Sequence, residues 1–240
     1  MITAFRALHD SPEPLVLDNA WDVGSALAVA RAGAPAIATG SWAVAASRGL
    51  EDAERVPLDA VLALAAAIVE RVAVPVTVDI ESGFAEVPDG VGETVARLAA
   101  TGAAGCNLED GVPGEGRVRD ESDAVARVAA ARSSAELFIN ARFDGFLLSP
   151  AERHAGLVDE AIERGRAYAA AGADGFFVPG LAEPSALRRI VDAVPVPVNA
   201  MAVDVAADLG PLAGAGVRRI SRGPGLYLHA LAAIERAVAR

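Results

Sequence analysis

The sequence predicts a closed (β/α)8 barrel of the TIM type, a single domain spanning residues 1–240. Three observations predict it. Short apolar runs alternate with Ala-rich helical stretches along the whole chain. No Ser/Gly-rich linker or block of charge divides the sequence. Helical stretches end in an Ala-Gly or Thr-Gly stop at Gly33, Gly102, Gly172 and Gly216, where glycine supplies the left-handed C-cap that turns the chain back toward a sheet. An open doubly wound sheet is the alternative arrangement of the same elements.

Strands are expected, in order, at 15–18, 35–40, 75–80, 104–109, 136–142, 174–178, 195–200 and 217–221. Helices are expected at 22–32, 57–72, 90–101, 121–132, 157–171, 184–193, 204–214 and 225–239. Asp22 is placed to cap the first of these helices, with Asn19 satisfying loop backbone. Pro75 and Pro197 open two strands in matching Val-Pro-Val settings, where a missing amide is harmless. The last helix is apolar on more than one face, over the stretch from Leu226 and Tyr227 through Leu231 and Ile234 to Val238. A helix with one buried face carries a cleaner polar stripe, so this one either closes its own barrel or meets a second partner.

Composition removes several functions. A net charge of -11 and a pI near 4.7 argue against nucleic acid or an anionic membrane as partner. The N-terminal Met1-Ile2-Thr3-Ala4-Phe5-Arg6 lacks a signal-peptide layout and no apolar run is long enough for a bilayer, so a cytoplasmic protein is expected. Cys106 is the single cysteine, which excludes an intrachain disulfide and a Cys-rich zinc site. All 21 basic residues are arginine. Schiff-base aldolase chemistry, lysine-anchored pyridoxal phosphate and a Walker-type phosphate loop are therefore excluded.

The most informative residues are acids at the ends of two apolar runs, Pro75-Val76-Thr77-Val78-Asp79-Ile80-Glu81 and Ala104-Gly105-Cys106-Asn107-Leu108-Glu109-Asp110. Side chains alternate along a strand, so Asp79 and Glu81 share a face with Thr77, and Glu109 shares one with Asn107 and Gly105. Cys106 then points outward as packing. Carboxylates converging at the C-terminal ends of parallel strands make an oxygen-rich pocket suited to a hard divalent cation such as Mg2+; solvated acids at strand ends are the other reading. Arg142 ends the fifth strand on the inward face with Asn140, placed to grip a substrate carboxylate or to pair with a nearby acid. Ser41 and Trp42 fall at the second strand–loop junction, and Asn199 at the end of the seventh strand. His9 and His229 are expected at the surface, while His154 lies in the 143–156 connection, within reach of the site or solvated.

Asp18-Asn19-Ala20-Trp21-Asp22, Gly40-Ser41-Trp42, the Asp79–Gly83 run, Asn107–Asp110, Ile139-Asn140-Ala141-Arg142 and Phe176–Leu181 occur in this order. The ordered set, from roughly 15 to 223, resembles the isocitrate lyase/phosphoenolpyruvate mutase superfamily. The resemblance implies a barrel that binds Mg2+ and a small anionic 2-oxo acid or its enolate, and that makes or breaks C–C or P–C bonds beside the carbonyl. It implies Asp79, Glu81 and Glu109 as metal-site acids, with Asp52 and Glu109 in the catalytic network. Arg142, Gly40, Ser41, Trp42 and Asn199 fall to the substrate. It also implies that the last helix packs on a neighbouring subunit in a homodimer or homotetramer.

The match breaks after the fourth strand. Superfamily members that cleave isocitrate or methylisocitrate carry a Lys-Lys/Arg-Cys-Gly-His segment there; here Gly111 to Asp120 holds no Cys, His or Lys. Glycines 111, 114 and 116 permit a mobile lid, and Arg117 and Arg119 could bring positive charge over an anion. A C–C lyase is the first expectation, a phosphonate P–C enzyme the second, and a non-catalytic metabolite-binding barrel the third.

Overall fold

β1 (Leu15–Leu17) pairs with β9 (Arg219–Ser221), and β2 (Asn19–Ala20) pairs with β3 (Ile37–Thr39). Only Asp18 separates β1 from β2, so the two pieces of one strand join the first and last members of the sheet. Between them run β4 (Val76–Asp79), β5 (Gly105–Glu109), β6 (Phe138–Arg142), β7 (Gly175–Phe177) and β8 (Val198–Met201), every neighbour parallel. The barrel expectation holds. These features come from a computed structural model that describes residues 1–239.

Helices cover the outside: α2 (Val23–Arg31), α4 (Leu58–Val69), α5 (Pro88–Ala99), α6 (Glu121–Ser134), α7 (His154–Ala170), α8 (Pro184–Ala193) and α9 (Gly210–Gly214). Val76, Val78, Ile80, Cys106 and Leu108 point out into the large core between sheet and helices, as strand alternation requires. Burial there pushes the Cys106 thiol up to about 12, which suits packing and not nucleophilic use. The expected left-handed caps are present, with φ of +85° at Gly102 and +105° at Gly172. Asp22 caps α2 as expected, its carboxylate accepting from the Ser25 amide at 2.7 Å.

Four expectations need correction. An N-terminal helix, α1 (Ile2–Leu8), was not among the expected elements. It plugs the N-terminal end of the barrel with Phe5, which packs with Leu15, Leu17, Ala36, Ala38, Ala104 and Phe138. His9 follows it inside, stacked on the Phe138 ring at 4.1 Å, and is buried, not a surface group. A second short helix, α3 (Ser41–Ala46), follows β3 where a loop was expected. The helix expected at 204–214 survives only as α9, because Asp204 and Asp208 accept hydrogen bonds from the amides of Ala206 and Gly210, each at 2.9 Å. Those local turns compete with helix. Finally, α10 (Gly225–Val238) ends the described chain with Leu228, Leu231, Ile234 and Val238 all exposed.

Candidate active site

Above the plug the barrel interior turns polar, and at the C-terminal strand ends it opens into a cavity of about 220 Å3. The polar lining includes Asn19, Ser41, Asp52, Asp79, Asn107 and Arg142; Trp42, Leu147, Phe177 and Met201 supply apolar wall. This is the edge at which ligands collect in barrels of this kind.

Asp79 ends β4 with its side chain inward. Ser41, at the start of α3, donates to Asp79 Oδ2 from its hydroxyl at 3.2 Å and from its amide at 3.4 Å. The same hydroxyl lies 3.5 Å from Asp52 Oδ2, and Asp52 Oδ1 is buried without a partner. Glu109 ends β5 beside Arg142, which ends β6, because the two are register partners. Arg142 Nη1 lies 2.7 Å from Glu109 Oε2 and 3.7 Å from Asp79 Oδ2, while Nε and Nη2 clasp Asp144 at 2.5 and 2.9 Å. One guanidinium is thus shared among three carboxylates.

Glu81 leaves β4 in left-handed backbone, φ 48°, and its Oε2 accepts from the Glu54 amide. Ala53, Glu54 and Phe84 are also left-handed. Such conformations are unfavourable for side-chain-bearing residues and persist only where their surroundings hold them. Glu54 does the holding: its Oε1 accepts from Ser82 Oγ at 2.7 Å and from the Phe84 amide at 2.9 Å. Arg127, fully buried, adds donors to the carbonyls of Ser82, Ala85 and Glu86. A further network fixes the other flank. Asp110 accepts from Tyr168 Oη at 2.6 Å and from the Asp144 amide at 2.9 Å, with Arg164 alongside.

Crowding of acids sets the electrostatics. Burial first, and then the Asp52 carboxylate, hold Glu81 up to about 8. Burial also raises Glu109 well above the usual carboxylate range, against the pull of Arg142, and raises Asp52 with help from Asp79. Arg142 is driven upward despite its burial because Asp144, Glu109 and Asp79 surround it. The donor set is all hard carboxylate oxygen, with an orphaned buried oxygen on Asp52, which fits a divalent cation such as Mg2+. Among the described residues no three acids, histidines or cysteines stand close enough to hold one ion together.

The remaining expected residues fall in three places. Gly40 precedes α3 beside Asn19, where an added Cβ would come to 3.3 Å of Asn19 Nδ2. Trp42 is 43% exposed at the cavity wall, edge-on to Tyr227, and is not a packed core indole. Asn199 sits deeper, donating to Ser221 Oγ at 3.2 Å, and Ser221 in turn lines the cavity. The two lid arginines stand apart from this cavity, in a neighbouring cleft beside Glu54 and Phe84. Arg117 pairs with Glu115, and Arg119 donates to Ser82 Oγ at 3.2 Å and reaches Asp123. His154 is absorbed by the carbonyls of Phe146 and Ser149 and does not reach the site.

Sequence reasoning missed Asp144 and Glu54. The Arg-Phe-Asp spacing of residues 142–144 was a usable signal, since it sets a carboxylate two residues beyond a strand-end arginine. Glu54 carried none, because its role depends on a fold-back of the 51–55 loop onto residues 81–84.

A family model described as phosphoenolpyruvate phosphomutase matches residues 5–240. The chain belongs to this family. Within the isocitrate lyase/phosphoenolpyruvate mutase superfamily it is 33% identical to the 2-methylisocitrate lyase of Escherichia coli, over 82% of this chain and 68% of that enzyme. It is 39% identical to an uncharacterized protein of Mycobacterium tuberculosis, over 98% of this chain and 88% of the relative. A crystal structure of a putative phosphonomutase from Burkholderia cenocepacia superposes with a TM-score of 0.94 at 47% identity, covering 99% of this chain and 98% of that one. The sequence relatives with named reactions are lyases, the matching family is named for a mutase, and this family member is an enzyme of that superfamily. No helix among the described residues is long and apolar enough to cross a membrane.

Proposed function

We propose that the protein is a Mg2+-dependent lyase that forms or cleaves a C–C bond beside the carbonyl of a small 2-oxo or 2-hydroxy carboxylate, through an enolate. The observation that carries this reading is the sharing of Arg142 among Asp79, Glu109 and Asp144 at the edge of a cavity sized for a small molecule. Asp52 and Glu81 add to the same cluster of acids, so one arginine faces more carboxyl groups than it can pair, and burial holds protons on some of them. That excess favours a bound cation.

Asp79, Glu81 and Glu109 would hold Mg2+ at least partly through its retained water, with Asp52 completing the network. When bound, Mg2+ supplies Lewis-acid stabilisation of the charge that develops on the carbonyl oxygen. The chain's own groups do the rest. Arg142 would receive a substrate carboxylate, offering donors in a planar fork. The Ser41 hydroxyl and amide, already aimed at Asp79, orient the oxo-acid end, and Trp42 with Phe177 and Leu147 limits water on the apolar side.

The direct test is a screen of 2-oxo and malate-type acids for pyruvate or glyoxylate release. Metal-dependent turnover of one of them is the expected result, and a negative result across the screen with Mg2+ present contradicts the reading. A second reading, P–C bond formation or cleavage on phosphonopyruvate or phosphoenolpyruvate, is favoured by the likeness to the putative phosphonomutase. A 31P spectrum separates the two, because phosphonate and phosphate ester phosphorus resonate far apart.

We also propose a homodimer or homotetramer in which a second copy covers α10. Leu228, Leu231, Ile234 and Val238 recur at helical spacing and are 39 to 72% exposed. Light scattering should return a multiple of the chain mass, and the variant L231E should lower it. A wild-type monomer refutes the assembly.

A further inference from the structure

Beneath the cavity floor lies Arg219, the inward residue of β9, fully buried over the Phe5 ring and, among the described residues, facing no carboxylate within ion-pairing distance. Its only acceptor among the described residues is Asn107 Oδ1, at 2.9 Å, while Nε and Nη1 are buried without partners there. Burial lowers its pKa to about 9, which still leaves it charged at neutral pH. A buried, unpaired guanidinium is costly, and an apolar side chain would serve packing better. The interior leaves little slack around this layer: an added Cβ at Gly175 would come to 2.7 Å of Asn140 Oδ1.

The direction of the single bond is informative. Asn140 Nδ2 also donates to Asn107 Oδ1, at 2.9 Å, so that oxygen accepts from two donors. An amide held by its oxygen must present its other end elsewhere. Asn107 lines the cavity next to its register partner Asp79, and its Nδ2 meets no acceptor among the described residues and is not fully enclosed. It therefore opens onto the cavity as a donor.

We propose that Arg219 is a positioning residue that, with Asn140, locks the Asn107 amide so that Nδ2 donates to a carboxylate or oxo oxygen of the ligand. This rests on the 2-oxo acid reading of the cavity and adds to it a floor donor opposite in sign to the neighbouring acids. The fixed positive charge polarises the Asn107 amide through its oxygen, which strengthens the N–H as donor.

The experiment pairs two readouts on full-length protein. Calorimetry with oxalate in the presence of Mg2+ should show R219M weakened about tenfold or more, the scale of a lost charge-assisted hydrogen bond. Thermal stability should be unchanged or raised, because an unpaired buried charge has gone. N140S should weaken oxalate less, and R219M should add little to N107L, since both act through one amide. In ligand-free protein, the 15N side-chain amide signals of Asn107, assigned by their loss in N107L, should shift in R219M. Should R219M not fold, R219K and N140S carry the same readouts. An unmoved Asn107 signal, or oxalate affinity that falls only in step with melting temperature, overturns the Arg219 inference. No oxalate binding by the wild-type protein overturns instead the reading of the cavity on which the ligand half rests.

Discussion

At the N-terminal end of the barrel, Phe5 fills the interior beneath Arg219, whose guanidinium lies 6.0 Å from the ring, and the acid at the outer edge is matched by arginines. Asp174 is held there by Arg6, Arg132 and the Ile139 amide. At the C-terminal end the interior stays open, acids outnumber arginines, and left-handed residues cluster in the loops that carry Glu54 and Glu81. One sheet thus ends in a packed apolar plug on one side and in an open acidic site on the other. Apolar packing fills the first end, and crowded carboxylates line the second.

The largest effect that can break this contrast is at the plug. F5A removes a fully buried ring and should cost about 3–5 kcal/mol of stability. Chemical denaturation measures that loss. Oxalate affinity of the protein that remains folded should fall far less than in R219M, and a loss as large as that of R219M would show that the two ends are not separable.

A smaller effect of opposite character is expected at Glu54. E54A removes the acceptor of the Ser82 hydroxyl and Phe84 amide and frees the loop that orients Glu81. Mg2+ affinity, read by calorimetry, should fall about 10- to 100-fold, the range for lost outer support of a metal site. Equal Mg2+ affinity in E54A and wild type removes Glu54 from the site.

Smaller still is a pH effect with a definite sign. Glu81 titrates at about 8 in the folded, metal-free protein against an ordinary value of 4.5. The folded state therefore retains a proton that the unfolded chain has released. Stability from this group is full below the unfolded value, then declines as pH rises and is lost through the folded value. On the proposed metal reading Mg2+ would compete with that proton, so the rise in Tm caused by Mg2+ should be greater near pH 9 than near pH 6. In E81Q the difference should shrink, and a wild-type Mg2+ shift independent of pH would remove Glu81 from the metal site.

The top of the barrel was far more legible in the sequence than the bottom. Strand alternation placed Asp79, Glu109 and Arg142 on the inner face without reference to any contact, because a period of two leaves each residue only one face to occupy. Glycine caps and Val-Pro-Val strand openings set the order of elements. The plug escaped because α1 is a short N-terminal segment whose partners, Phe138 and Ala104, lie far along the chain. The Arg219 bond to Asn107 escaped for the same reason, as those residues are separated by 112 positions. The expected helix at 204–214 failed for a local reason, aspartates that prefer turns.

The central claim, that the acid cluster awaits a cation which then admits a 2-oxo acid, is tested most directly by oxalate calorimetry with and without Mg2+. Oxalate resembles the enolate of pyruvate. Saturable binding that appears only when Mg2+ is present is the predicted result. Equal affinity in the presence of a chelator, or no binding with Mg2+ present, would contradict the account.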